Sequence, residues 1–146
     1  MRIEQDVKLT FNDVLIRPKR STLVSRSDVN LEREFSFRHS NEKWSGIPIV
    51  SANMDTTGLF SVAKILQKYK MLTCTQKFYS TKEYSEAWEQ GIEPEYIAIT
   101  CGSTENSFEL IRRKVSTNKN LKMICIDVAN GYRAVSYTHL TLPTKA

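Results

Sequence analysis

The chain has 146 residues, of which 40% are hydrophobic and 25% are charged. These proportions exclude a disordered chain, and the length predicts one compact domain. The sequence has neither a run of roughly 18 apolar residues nor a signal-peptide core, so we expect a cytoplasmic protein without a membrane partner. The net charge of +5 comes from 21 bases and 16 acids spread along the chain. This spread is typical of solvated surface rather than of a nucleic-acid interface.

The first 30 residues predict an extended arm. Residues 9–18 contain several apolar side chains and end at a proline, which predicts a short strand or an extended segment, and residues 21–30 are polar. The segment is too apolar for a simple tail. We therefore predict an arm that covers one end of a sheet.

Four short apolar runs predict β-strands at residues 47–54, 71–75, 96–101 and 123–128. Because they are apolar continuously rather than alternately, we expect them to be buried on both faces, as parallel strands covered by helices are. Helical patterns lie between them. One is an apolar stripe from Leu59 to Tyr69, and the others begin at N-cap signals at Thr81 and at Ser103 or Thr104.

The predicted strands begin 23, 25 and 27 residues apart, which is typical of repeated βα units. Two α/β folds fit this spacing. One is an open doubly wound sheet, and the other is the first half of a (β/α)₈ barrel, which takes about 250 residues when complete. The five glycines form no G-x-G pair, so a Rossmann dinucleotide loop is excluded, and a phosphate-binding P-loop is absent from the sequence too.

Polar residues follow the apolar runs, and the carboxyl ends of parallel strands are where ligands bind. These residues are Asn53 and Asp55, Gln76 and Lys77, Thr100 and Gly102, and Asp127 and Asn130. Helix capping is the simpler explanation for Asp55, Thr100 and Asn130. Lys77 and Asp127 point to a ligand more strongly. A lysine there supplies a point charge for a phosphate or an amide carbonyl, and an aspartate accepts hydrogen bonds from ribose hydroxyls.

The cysteines and histidines predict no metal site and no disulfide. Cys74, Cys101 and Cys125 have neither zinc-site nor disulfide-framework spacing. Cys74 and Cys125 lie inside predicted strands, where we expect small buried hydrophobic residues, and Cys101 ends a strand, where exposure is possible. His39 and His139 are 100 residues apart and have no ligand motif around them.

Three longer stretches closely resemble the IMP dehydrogenase/GMP reductase superfamily, and within it GMP reductase. They are LTFNDVLIRPKRSTLVSRSDVNLER, IPIVSANMDTTG and MICIDVANGY, and the resemblance runs from residue 8 to residue 132. Only 18 residues separate Lys77 from Tyr96. This leaves no room for the regulatory domains that most members of the dehydrogenase branch insert there, so the reductase branch is favoured.

The resemblance implies that residues 1–132 are the N-terminal half of a TIM (β/α)₈ barrel preceded by an extended arm. It also implies a homotetramer and the NADPH-dependent reductive deamination of GMP to IMP and ammonia. Carried over by position, Ser25 and Arg26 contact the cofactor of a neighbouring subunit. Lys77 and the run Asp127, Val128 and Ala129 correspond to positions that contact the cofactor. The family usually has histidine before the lysine, where this chain has Gln76.

The catalytic residues of the family have no counterpart in this sequence. The family cysteine lies in a G-x-G-S-x-C loop, which the sequence does not contain, and the resemblance assigns the potassium site and the GMP phosphate site to the same missing half. We therefore expect this chain alone to be inactive. The stretch 133–146 has no acid and no helical stripe, so we expect it to be non-native or disordered.

Three other interpretations fit the sequence. In the first, the chain is a non-catalytic interaction fragment that pairs with full-length subunits. In the second it is a fragment of an IMP dehydrogenase, and in the third it is a complete small flavodoxin-like binding module.

Overall fold

The computed structural model describes residues 5–38 and 40–130. The chain divides into two units, Met1–Asn30 and Leu31–Ala146, and each is described by itself. His39, His139 and the stretch 133–146 lie outside the described residues, so the predictions about them stay predictions.

The first unit is an extended arm with two 3₁₀ turns, Phe11–Asp13 and Arg26–Asp28, and no strand among its described residues. Each turn begins at a residue whose backbone N–H donates to an aspartate three residues later. The distances are 2.8 Å from Thr10 N to Asp13 Oδ2 and 3.0 Å from Ser25 N to Asp28 Oδ2. Each aspartate thus satisfies a donor that the turn leaves free. The extended alternative predicted for residues 9–18 is confirmed, and the strand alternative is wrong.

The second unit is built on a sheet of five strands that follow one another in chain order. They are β1 (Arg33–Ser36), β2 (Lys43–Ser51), β3 (Met71–Cys74), β4 (Ile97–Cys101) and β5 (Met123–Ile126). β1 pairs antiparallel with the first half of β2, and the four strands from β2 to β5 are parallel. In a doubly wound sheet the strand order reverses at a switch point, whereas a barrel places each new strand beside the previous one. The observed order is therefore that of half a (β/α)₈ barrel.

Helices connect the parallel strands: α1 (Phe60–Leu66), α2 (Thr81–Glu89) and α3 (Glu105–Val115). The predicted stripe of α1 is too long, because α1 gives way to a 3₁₀ turn at Gln67–Tyr69, and Tyr69 is 59% exposed. The cap of α2 is Ser80 rather than Thr81, since the Ser80 hydroxyl accepts from the Glu83 N–H at 3.3 Å. Thr104 caps α3, as predicted.

The core lies between β4 and the helices. All five residues of β4 are buried, and Ile97, Ile99 and Cys101 pack in one cluster with Tyr84 of α2 and Ile111 of α3. Burial on both faces is thus confirmed for β4, which has a parallel strand on each side. β2 and β5 each have a parallel neighbour on one side only within the described residues. Their predicted burial is wrong in part, since Ile49 and Ile124 are half exposed.

Candidate functional site

A large cavity in the second unit opens at the amino ends of the strands and extends along them to Val50 and Cys74. It measures about 1040 Å³, and its lining includes Lys43 and Trp44 at the start of β2, Glu95 before β4 and Met123 at the start of β5. The inner faces of β3, β4 and β5 form its wall. In (β/α)₈ barrels the chemistry takes place at the opposite, carboxyl end, and the interior is filled by layers of side chains. This cavity is therefore the open interior of a half barrel rather than the candidate site.

The carboxyl ends of β3 and β5 carry Lys77 and Asp127, both with exposed side chains. Lys77 lies in the loop after β3. Asp127 directly follows β5, and its backbone N–H donates to the Cys101 carbonyl oxygen at 2.7 Å. Val128 is half-buried beside it, and Ala129 is exposed. Since β4 alone separates β3 and β5, the ends of these two strands lie at the same edge of the sheet, two strand spacings or about 10 Å apart. We call this edge the carboxyl rim.

The loop that bears Lys77 is fixed through its backbone. The Thr75 N–H donates to the Ala98 carbonyl oxygen and the Gln76 N–H to the Gly58 carbonyl oxygen, each at 2.9 Å. Gly58 has no room for a side chain, since a Cβ would lie 2.7 Å from Gln76 N. The Lys77 side chain extends from this fixed loop, with its Nζ 5.4 Å from the centroid of the Phe78 ring.

A small cavity of about 200 Å³ lies between this loop and α3. Its lining includes Lys77, Phe78, Gly102, Ser107, Leu110 and Lys114. Two of the described lining residues are lysines and none is acidic. The electrostatic character of this part of the carboxyl rim is therefore positive, which favours an anionic group of a ligand.

Thr100 contributes a buried hydroxyl to β4, between the strands that carry Lys77 and Asp127. Its Oγ1 has no hydrogen-bond partner among the residues that the structure describes. Leaving a buried hydroxyl unpaired costs about 1–3 kcal/mol. The hydroxyl of Thr73 in β3 is unpaired among the described residues in the same way. Thr100 caps no helix, and neither does Asp55, because the N-caps of α1, α2 and α3 are Leu59, Ser80 and Thr104. The capping explanation for these two residues is wrong.

Cys74 and Cys101 are not placed for nucleophilic chemistry. Cys101 is 4% exposed, so the exposure considered from its position at a strand end is wrong, and burial raises the pKa of its thiol. Burial, followed by the neighbouring Cys125 thiol, raises the pKa of Cys74 to about 12. Since the thiolate is the nucleophilic form, Cys74 and Cys101 are held in the unreactive form at neutral pH.

Ser25 and Arg26 lie in the first unit and are described with it. The Ser25 hydroxyl accepts from the Ser27 N–H at 3.3 Å and shares a hydrogen bond of 2.8 Å with the Ser27 hydroxyl. Arg26 is exposed. Within the described part of the first unit, residues 5–30, no carboxylate oxygen lies within 4 Å of its guanidinium.

Sequence reasoning missed Lys114, which lies on the buried face of α3 and donates from its Nζ to the Lys77 carbonyl oxygen at 3.1 Å. The signal was present in the sequence: Lys114 follows Ile111 by three residues and therefore falls on the apolar stripe of the helix. A lysine at such a position is seldom fully buried unless it has a partner.

The described residues contain no cluster of three or more histidine, cysteine or acidic side chains that could hold a metal ion. None of the helices in that part of the chain is long and apolar enough to cross a membrane.

The fold is matched by a solved structure, that of IMP dehydrogenase from Legionella pneumophila. The TM-score is 0.70 at 22% sequence identity, and the match covers 90% of this chain and 39% of the dehydrogenase chain. At this identity the likeness concerns the fold alone. The chain thus has the fold of half a (β/α)₈ barrel, in agreement with the order of its strands.

The sequence comparisons find GMP reductases among the similar proteins, although no family model matches the chain. The GMP reductase of Klebsiella pneumoniae is 52% identical over 135 residues, and those of Escherichia coli and Shigella boydii are 48% identical over 134 residues. This chain is therefore a homologue of GMP reductase over 90% of its length, and it spans 39% of the length of these relatives.

Proposed function

We propose that this chain is the N-terminal part of a cytoplasmic, homotetrameric, NADPH-dependent GMP reductase, which converts GMP to IMP and ammonia in purine nucleotide interconversion. The observation that carries the proposal is the 52% identity to the Klebsiella enzyme over 135 residues. The lysine and the carboxylate at the carboxyl rim support it, because they are the groups that a phosphorylated dinucleotide requires.

Within this proposal the chain contributes the surface that holds the cofactor. Lys77 offers a mobile ammonium group on a fixed backbone to a phosphate or to an amide oxygen. Asp127 offers an acceptor to hydroxyl or amide donors, and Val128 and Ala129 offer apolar contact beside it. NADPH, when bound, supplies the hydride for reduction of the purine.

Arg26 and Ser25 serve a cofactor bound by a neighbouring subunit in the same proposal. An exposed guanidinium without a partner carboxylate among the described residues is suited to bidentate contact with a phosphate. A potassium ion and the GMP phosphate belong to the remainder of the enzyme. Membranes and nucleic acids are not among the proposed partners.

The test is a titration of the purified chain with NADPH, followed by the fluorescence of the nicotinamide. We expect saturable binding, and we expect Lys77→Met to raise the Kd about tenfold or more, because hydrogen bonds to charged groups contribute about 1.5–3 kcal/mol. Lys119→Met is the matched control, since Lys119 is an exposed lysine in the loop before β5, at the amino end. An absence of binding by the unaltered chain would contradict the proposal. Equal weakening by both substitutions would contradict the assignment of Lys77.

A further inference from the structure

Lys114 places an ammonium group in the interior of the protein, directly behind the loop that bears Lys77. The residue is 6% exposed, and its Nζ lies 3.1 Å from the Lys77 carbonyl oxygen and 5.5 Å from the centroid of the Tyr84 ring. Tyr84 itself is fully buried. The contact with Lys77 bridges two elements that are 37 residues apart in the chain.

This burial is unfavourable for the ammonium group by itself. No carboxylate oxygen lies within 4 Å of Lys114 Nζ among the described side chains, and the burial lowers the pKa of its amine. A methionine would fill the same position on the apolar face without the desolvation of a charge. Packing alone does not call for a lysine here. The ammonium group lies over the Tyr84 ring and is attracted by the Glu83 carboxylate, and its hydrogen bond to the loop is the contact that reaches Lys77.

The loop has few other anchors at the point where Lys77 lies. Thr75 and Gln76 are held by the carbonyl groups of Ala98 and Gly58, and the Phe78 N–H donates to the Gln76 side chain at 3.3 Å within the loop itself. The hydrogen bond from Lys114 joins the Lys77 backbone to helix α3. It therefore fixes the orientation of the peptide group from which the Lys77 side chain departs.

We propose that Lys114 is a positioning residue for the cofactor site: it holds the Lys77 carbonyl and thereby sets the direction in which the Lys77 ammonium group is presented at the carboxyl rim. This inference rests on the proposed function, in which Lys77 binds the cofactor. Lys114 acts through Lys77 and does not itself contact the cofactor.

A double-mutant cycle tests this coupling. NADPH is titrated into the unaltered chain, Lys77→Met, Lys114→Met and the double variant. We expect Lys114→Met to raise the Kd about three- to tenfold, and we expect the double variant to bind no more weakly than Lys77→Met, because a residue that acts only through Lys77 has no effect once Lys77 is gone. If the increase in Kd of the double variant equals the product of the increases caused by the two single substitutions, Lys114 does not act through Lys77 and the inference is wrong.

Thermal unfolding of each variant is measured as a control, to show that the variant is folded. Lys114→Gln is prepared in parallel, because it removes the charge and its shorter side chain does not reach the Lys77 carbonyl. The cycle is evaluated with whichever variant unfolds cooperatively, and the same non-additivity is expected from either. Retention of full affinity by the variant used would contradict the inference.

Amide hydrogen exchange in the absence of cofactor separates this inference from the proposed function. We expect residues 76–78 to exchange about tenfold faster in the Lys114 variant, with no change at Ala63 in α1, because the tether restrains the loop locally. Unchanged exchange at the loop would refute the tether. If exchange shows that the hydrogen bond from Lys114 restrains the loop but the unaltered chain does not bind NADPH, the proposed function is wrong while the structural role of Lys114 stands.

Discussion

The purified 146-residue chain is expected to leave NADPH unoxidised when GMP is added. The nucleophile of the family lies in a G-x-G-S-x-C loop that this sequence lacks, and burial raises the pKa of the Cys74 and Cys101 thiols, which removes them as substitutes. Removing the nucleophile from an enzyme that forms a covalent intermediate lowers turnover by roughly 10⁴–10⁶-fold. The nicotinamide absorbance, followed with and without GMP, measures this directly.

A full-length GMP reductase in the same buffer is the positive control for this assay. GMP-dependent loss of NADPH by the 146-residue chain, above the rate without protein, would overturn the expectation. Suppression of such a rate by alkylation would then show that one of the thiols is reactive after all.

Tyr84→Ala is expected to lower the free energy of unfolding by about 3–5 kcal/mol, the range found for large aromatic side chains removed from a core. Tyr84 is fully buried among the rings of Phe60, Tyr79 and Trp88, and its hydroxyl is hydrogen-bonded to the Thr75 hydroxyl. The side chain thus joins α2 to Thr75, the first residue after β3. Urea unfolding followed by tryptophan fluorescence measures the loss.

Two matched variants show how much of this loss comes from the buried ring and how much from the hydroxyl. Tyr84→Phe keeps the ring and removes the hydroxyl, so we expect a loss of about 1 kcal/mol. Tyr69→Ala removes a tyrosine that is 59% exposed, and we expect a change within about 0.5 kcal/mol. A loss for Tyr84→Ala no larger than that for Tyr69→Ala would contradict the structure of this core.

The strands were predictable from sequence because short apolar runs bounded by breakers are typical of strands, although only β4 is buried throughout. β3 and β4 appear within one residue of their predicted starts, and the spacing of the runs anticipated the βα units. β1 was not predicted, since Arg33–Ser36 is short and exposed, and it is a strand only because the hairpin with β2 pairs its backbone. The choice between the barrel and the doubly wound sheet depends on which strands are neighbours in the sheet. The hydrophobic pattern of the sequence does not give that order.

The candidate site was predictable to the extent that strand ends define it. Lys77 and Asp127 could be singled out because each follows an apolar run, whereas Ser25 and Arg26 came from the family resemblance alone. The position of Lys114 on the apolar stripe of α3 was visible in the sequence, but its role depends on a contact with a carbonyl group 37 residues away. Such a contact has no local sequence pattern.

An amide chemical-shift map of the isotope-labelled chain, titrated with NADPH, tests most directly whether the carboxyl rim binds the cofactor. We predict that the perturbed amides cluster at residues 76–78, 100–102 and 127–129. Perturbations that cluster instead around Trp44, Glu95 and Met123 would assign binding to the larger cavity at the amino ends of the strands. That result, or the absence of any perturbation, would contradict a cofactor site at the carboxyl rim.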